Sequence, residues 1–404
     1  TCSKAIQYIA RNEAELIGNV IAKQDSLTLK TEKGFYYGNL KKTKSTSGIF
    51  LDDTKVVLTA DSGEYFFDES VAFFQSNVKL LDSVTTLISD ELTYYQNLDK
   101  SVAVGNVNID DGSNVIYADT LTHLRKKMFS IADGNVSIRN IRDNLTVFGN
   151  HLEDDGELKY TLINKNPLLM QVDTSVTRDD SLRVIVSIDT LMIKSKVMES
   201  FRSGTNLFKA TDSVKILRGG FASVNDLTTY YRDQEKIITD KINENAPRPV
   251  LWYENSQLTG DSITIFLDDG EIKSLTVSNN SFMLSQNKMS LQRFDQTSSD
   301  SVHLYFLENR LQQADFAGKV QSIYFLLDDD VPNGLVKSTA HQAVIVFQEN
   351  QIDQVRLYGS PTSEYYPESK VEGLERTFTL PKFVLKENRP LKKDFLMMIQ
   401  EENE

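Results

Sequence analysis

The feature that most constrains this chain is a phrase repeated every 29 residues. Asp61, Asp90 and Asp119 are each 29 residues apart, and fifteen residues after them stand Ser76, Gly105 and Gly134. Each of those is followed by Asn-Val: Asn77-Val78, Asn106-Val107 and Asn135-Val136. Leu58, Leu87 and Ile116 precede the aspartates by three residues, and Ala60, Ser89 and Ala118 by one. One period earlier the phase survives in Leu29, Thr31, Glu32, Tyr36-Tyr37 and Gly48-Ile49, and Gly18-Asn19-Val20 keeps it two periods before Ser76. Self-similarity at a fixed period of this size specifies a stacked, quasi-one-dimensional architecture. A catalytic motif has no reason to recur in register.

Each unit is written for strands. Val84–Ile88 and Leu92–Tyr95 are rich in β-branched and aromatic residues, Gln96–Lys100 is a polar break, and Val102 and Val104 then alternate with small residues. After Gly105-Asn106 the apolar positions become Val107 and Ile109. A one-residue slip turns every side chain over, and glycine within a strand marks a bulge or bend. The expectation is therefore a strand that bends at each Gly-Asn and keeps its apolar side inward on both flanks. Stacked bends make two sheets folded over a shared apolar interior; the plainer alternative for each Gly-Asn is a tight turn. The fold class is all-β, of stacked antiparallel strands in two folded sheets.

The second half keeps this grammar with a looser period. Runs from Ile263, Val302 and Ala343 each lead into an acidic turn and a return strand at Leu275–Val277, Ala314–Phe316 or Val355–Leu357, with Asp269-Gly270, Glu308-Asn309 and Glu349-Asn350 at the tips. Asp261 and Asp300, each followed by Ser, repeat the Asp61-Ser62 pair. Pro247 and Pro249 make Asp240–Tyr253 the best linker or sub-domain boundary. The organisation expected is a repeat array over 1–150, an irregular β segment over 151–245, a second hairpin-repeat region over 246–375 and a tail over 376–404, with a helical turn or two at Asp394–Ile399.

The chain has 404 residues and a net charge of −13, which disfavours nucleic acid as a partner. No apolar run approaches the roughly 20 residues of a spanning helix. The abrupt start at Thr1-Cys2 leads us to expect an upstream segment that has been removed. The lone Cys2 has no disulfide partner; it is either a lipid attachment point or a residue without a role. His123, His151, His303 and His341 form no HExxH pair, and no nucleophile-elbow, phosphate-loop or dinucleotide motif occurs. Neither a metal nor a cofactor is expected. Asp110-Asp111 and Asp328–Asp330 offer Ca²⁺ oxygen ligands, but acidic turn tips explain them more simply. Tyr94-Tyr95 and Tyr230-Tyr231 are either sugar platforms or strand pairs with one ring in and one out.

The tandem of [L/I]-x-[A/S]-D-x-x-x-Y-Y/F followed by Gly-Asn-Val, clearest in residues 58–80, 87–109 and 116–138, resembles the OstA-like (LptA-type) family of lipopolysaccharide transport proteins. Segments of the second half, "QLTGDSITIFLDDGEI" from Gln257 and "GKVQSIYF" from Gly318, are similar to the large OstA-like proteins. The resemblance implies an elongated, twisted β-jellyroll folded like a taco, located in the periplasm. It implies a non-enzymatic role: shielding the acyl chains of lipopolysaccharide or a related lipid, and stacking edge to edge with similar proteins or with itself. This chain departs from a single bridge protein in its length and in its irregular second half. An acyl groove fits the physics, since each buried methylene is worth about 0.8 kcal/mol without any polar site. The expected lining is Phe73, Val78, Leu80, Val102, Val104, Val107, Ile109, Ile131, Val136 and Ile138; a dry core made of the same residues is the alternative. The competing function is a secreted or surface β-solenoid that binds or cleaves polysaccharide, and a weaker one is a scaffold with a dry interior.

Overall fold

The computed structural model describes residues 1–24, 26–52, 54–178, 184–204, 206–268, 271–287, 290, 292–308, 310–328, 331–348 and 351–396. The chain divides into two compact units, Thr1–Asp173 and Thr174–Glu404. Both are built from antiparallel strands, and no described helix is long and apolar enough to cross a membrane.

Unit 1 contains β1 (Lys4–Tyr8), β2 (Glu13–Gln24), β3 (Leu27–Tyr37), β4 (Lys42–Ser45), β5 (Ile49–Asp52), β6 (Val57–Ala60), β7 (Ser62–Phe66), β8 (Val71–Leu81), β9 (Thr86–Tyr95), β10 (Lys100–Asp110), β11 (Asn114–Leu124), β12 (Phe129–Asn140), β13 (Leu145–Asp155), β14 (Tyr160–Asn164) and the start of β15 (Leu168–Arg178). One 29-residue repeat is two successive strands. The long strands break pairing in mid-course: β3 pairs with β4 over one half and β5 over the other, and β13 does the same with β14 and β15. These breaks mark a corner where the ladder folds into two arms. At the far end of one arm the polar break is a short 3₁₀ turn, as at Gln96–Leu98. It closes on a left-handed residue, and Asn12, Lys41, Ser70, Asp99 and Met128, one per period, all have φ between 44° and 55°.

Unit 2 continues with β16 (Val184–Lys194), β17 (Val197–Phe201), β18 (Leu207–Arg218), β19 (Phe221–Tyr231), β20 (Lys236–Asp240), β21 (Val250–Tyr253), β22 (Ser256–Thr259), β23 (Ser262–Asp268), β24 (Glu271–Gln286), β25 (Phe294–Leu307), β26 (Arg310–Asp328), β27 (Val331–Gln348), β28 (Gln351–Tyr358) and β29 (Thr362–Tyr366). The return strands pair as the alternation requires, Ile265 with Leu275, Leu304 with Ala314 and Ile345 with Val355. Of their tips, residues 269, 270, 309, 349 and 350 lie outside the described residues, as do Asp329, Asp330 and the end of the expected C-terminal helix; residues 393–396 are helical. Pro247 and Pro249 lie within unit 2, in the corner loop between β20 and β21, both of which pair with β19. Proline suits that place because the loop owes no ladder hydrogen bond.

The C-terminal segment is a strap laid on unit 2. Val371 and Leu380 are buried with Phe282, Leu284, Ile323, Phe325 and Leu335. Gln296 grips the strap backbone by donating to Phe378 O and accepting from Leu380 N. Gln257 does the same with Val384 O and Lys386 N. Arg293, 5% exposed, reaches Glu368 and Glu375 in the strap.

Candidate functional site

The repeated aspartates are corner joints. Asn106 Nδ2 donates to Asp90 Oδ2 at 2.8 Å, Asn77 Nδ2 to Asp61 Oδ2 at 2.7 Å, and Asn135 Nδ2 to Asp119 Oδ2 at 3.1 Å. In the Asp90 and Asp119 joints the carboxylate lies over the backbone of the residue before the asparagine. Gly105 and Gly134 have φ of 77° and 75°, and a Cβ on either would stand 2.9 Å from the aspartate Cβ and overlap its carboxylate. Asp-to-Gly-Asn is therefore one device, and glycine is required both by the left-handed backbone and by the carboxylate. The same joint recurs in unit 2, where Asn280 Nδ2 donates to Asp261 Oδ2 at 2.8 Å and Gly318 (φ 78°) packs under Asp300. Asp110 and Asp111 accept backbone N–H groups from Gly112, Ser113 and Asn114, so they build their own turn.

Each Gly-Asn is a bulge, as the register shift between Val104 and Val107 against β11 shows. The inward residues differ from expectation on one flank. Ala103 (1% exposed) and Val107 (2%) are buried, whereas Val104 is 40% exposed. On the unbulged neighbour β11 the buried residues are Ala118 and Leu121, three apart, so the corner itself turns the strand over. The bulge adds a second half-turn, and the two shifts cancel. Val102, Val104, Phe73 and Ile131 consequently stand on the face away from the fold interior, and Ala103, Phe74 and Ala132 take the inward places. Val78, Val107 and Val136 are buried at the corner, while Leu80, Ile109 and Ile138 lie inward and half-buried.

Packing at the corner alternates large with small. Leu92, Ala103, Leu121, Ala132 and Leu152 follow one another across β9 to β13, and on the other side of the joint Val78 pairs with Ser89, Val107 with Ala118 and Val136 with Gly149. One rank farther from the corner the arms diverge in chemistry. On one, register pairs join Ala22, Leu29, Leu51, Leu58, Leu80, Leu87, Ile109, Ile116, Ile138, Val147 and Leu169 into an unbroken aliphatic row. From Leu80 to Ile138 this row is only half-buried. On the other arm, at the same rank, Tyr36, Tyr65, Tyr94 and His123 recur every 29 residues between the small residues Thr43, Ala72, Ser101 and Ser130. Tyr94 Oη donates to Asp99 at 3.0 Å, and burial raises the pKa of the phenol. His123 meets Ser130 at 3.0 Å, and burial lowers its pKa.

Unit 2 is filled instead. Its arms carry strands of 14 to 19 residues in β24 to β27, against 10 to 12 in β8 to β13. Ile263, Leu275, Val277 and Ala314 are fully enclosed, with Phe306, Leu311 and Phe347 buried beyond them. Phe221, Tyr253 and Phe306 form a three-ring cluster with centroids 4.5 to 5.8 Å apart. The cavity among Leu251, Met283, Leu304 and Leu311 is about 20 Å³. That is room for a water and none for an acyl chain.

Other side chains with chemical potential are absorbed by structure. His151 joins Asp133 at 2.7 Å and Glu153 at 3.1 Å, and the Asp133 hydrogen bond is the main cause of its raised pKa. His303 bonds Thr276 at 2.7 Å. No group of three or more His, Cys, Asp or Glu among the described residues is placed to hold a metal. The aliphatic row was legible in the 29-residue period through Leu58, Leu87 and Ile116; its continuity through the intervening strands needed the register.

No curated protein matches the chain. Residues 1–119, which span the first corner joints and the start of the aliphatic row, match the family model described as "OstA-like protein".

Proposed function

We propose that this chain is a periplasmic lipid-binding protein of lipopolysaccharide transport and outer-membrane assembly, with no catalytic role. Acyl chains lie along the aliphatic row of unit 1, and similar β-jellyroll domains pair at its strand edges. The observation that supports this reading is the row itself: eleven apolar residues in unbroken register, half-accessible through its middle. A continuous accessible aliphatic strip is costly in water and is the surface that a hydrocarbon chain covers. It runs across the strands, so a chain lying on it crosses one rung after another at about 0.8 kcal/mol per methylene. Unit 2, with its interior filled, takes no acyl chain in this proposal.

The test is photocrosslinking in the native cell envelope. A photoreactive residue at Ile109 or Ile138 should yield lipopolysaccharide adducts. The same residue at Val104, on the opposite face, or at Leu304, in the filled unit, should not. Equal labelling at all four positions, or none at Ile109 and Ile138 in a folded protein, would refute the groove and direct attention to glycan binding.

A further inference from the structure

A repeat explains the residues it shares, and those that break it need another cause. The 3₁₀ turns of unit 1 read Ile9-Ala10-Arg11, Gly38-Asn39-Leu40 and Gln96-Asn97-Leu98, and then Arg125-Lys126-Lys127. The backbone is the same in all four, each closing on a left-handed residue, so geometry does not ask for three cations in the last. All three are exposed, in a protein of net charge −13.

The turn stands at the free end of the aromatic arm, one residue past the end of β11. Arg125 N donates to Asp99 O at 3.0 Å, which fixes the turn beside its neighbour. Lys126 Nζ lies 3.9 Å from the Asp99 carboxylate. Arg125 makes no ion pair within 4.0 Å among the described residues. Its charge is felt in two places. One is the Tyr94 hydroxyl, in the inward aromatic row. The other is Asp82, in the turn that ends the aliphatic arm, where Arg125 adds to the stronger effect of the Val84 and Thr85 N–H groups in lowering the pKa. The turn thus closes the free end of one arm, and its charge bears on the turn that closes the other. Leu80 and Leu87, in the middle of the aliphatic row, lie directly inside the Asp82 turn.

We propose that the Arg125–Lys127 turn is the headgroup anchor of unit 1, binding the phosphate of a lipid whose acyl chains lie on the aliphatic row. The inference rests on the acyl-groove reading. A planar guanidinium offers two parallel donors to phosphate oxygens, and the flanking ammonium groups supply charge without demanding geometry. Three adjacent cations attract an anionic headgroup to this turn.

Binding of a fluorescent-acyl phosphatidic acid and of the diacylglycerol with the same chains tests this on the full chain. The wild type should prefer the phosphatidic acid. Arg125→Gln should weaken it about fivefold, the scale of one exposed charge pair, and leave the diacylglycerol unchanged. Arg125→Lys should retain most of the preference, and about 0.5 M salt should erase much of it. Equal wild-type affinity for the two lipids, or equal weakening of both by Arg125→Gln, would overturn the anchor and leave the groove standing. Tighter binding of both by Arg125→Gln would make Arg125 a latch with Asp82 and also overturn it. Inorganic phosphate bound as tightly as the lipid would reassign the turn to a free anion. Binding of neither lipid by the wild type would overturn the acyl groove itself.

Discussion

The corner joint makes the sharpest energetic prediction. Gly105→Ala places a Cβ on a backbone with φ of 77° and against the Asp90 side chain. The left-handed conformation costs an alanine about 1–2 kcal/mol. The new methyl also displaces the carboxylate and breaks the 2.8 Å bond from Asn106 Nδ2, an exposed interaction worth about 0.5–1.5 kcal/mol. The variant should therefore lose about 2–3 kcal/mol, and Asp90→Ala, which removes only the bond, about 1 kcal/mol. The double variant cannot lose the same bond twice. Its cost should fall short of the sum of the singles by about 1 kcal/mol. Hydrogen exchange of the amides in β9 to β11 measures this locally. Fluorescence of Trp252, buried in unit 2, serves as the internal reference. Strict additivity would mean that Gly105 acts through its backbone alone, and the joint as described would be wrong. The converse change is Ser76→Gly. Ser76 holds φ of 61° in the glycine place of its joint, so glycine there should stabilise unit 1 by up to about 1 kcal/mol.

Two further predictions concern unit 2. Asp295 accepts from Phe325 N at 2.8 Å beside a cavity of about 10 Å³, and burial pushes its pKa up to about 7. Its charged form is disfavoured in the fold, so the native state holds a proton that the unfolded chain has released. Stability should then fall as pH rises from about 4 to about 7, and Asp295→Asn should be near neutral at pH 4 and stabilising by about 1–3 kcal/mol at pH 8 in denaturant titrations; a pH-independent effect would refute it. Arg293→Met leaves Glu368 and Glu375 facing an apolar side chain where the guanidinium now bonds them at 3.1 and 3.3 Å. Breaking a buried ion cluster from one side costs about 3–5 kcal/mol, so limited proteolysis should cut the strap between 367 and 396 far faster than in the wild type, and an unchanged digestion rate would show that Gln257 and Gln296 suffice to hold it.

What was legible in the sequence is local. The period, the strand pairs, the Gly-Asn bends and the second-half hairpins are short-range rules of backbone and turn chemistry, and the Asp-Gly-Asn repeat is a joint because a positive φ and an adjacent carboxylate both exclude a Cβ. The OstA-like resemblance rested on the same residues and holds over 1–119. Which face of each strand turns inward depended on tertiary structure. Bulge and corner each shift the alternation by one, and only their sum puts Ala103 inside and Val104 outside. The continuity of the aliphatic row needed ladder register, and the filling of unit 2 needed Phe221, Tyr253 and Phe306, 85 residues apart in sequence at their extremes, to meet in one cluster. A repeat dictates what each rung looks like; whether the space between the arms is left open or filled is decided by side chains that no single rung contains.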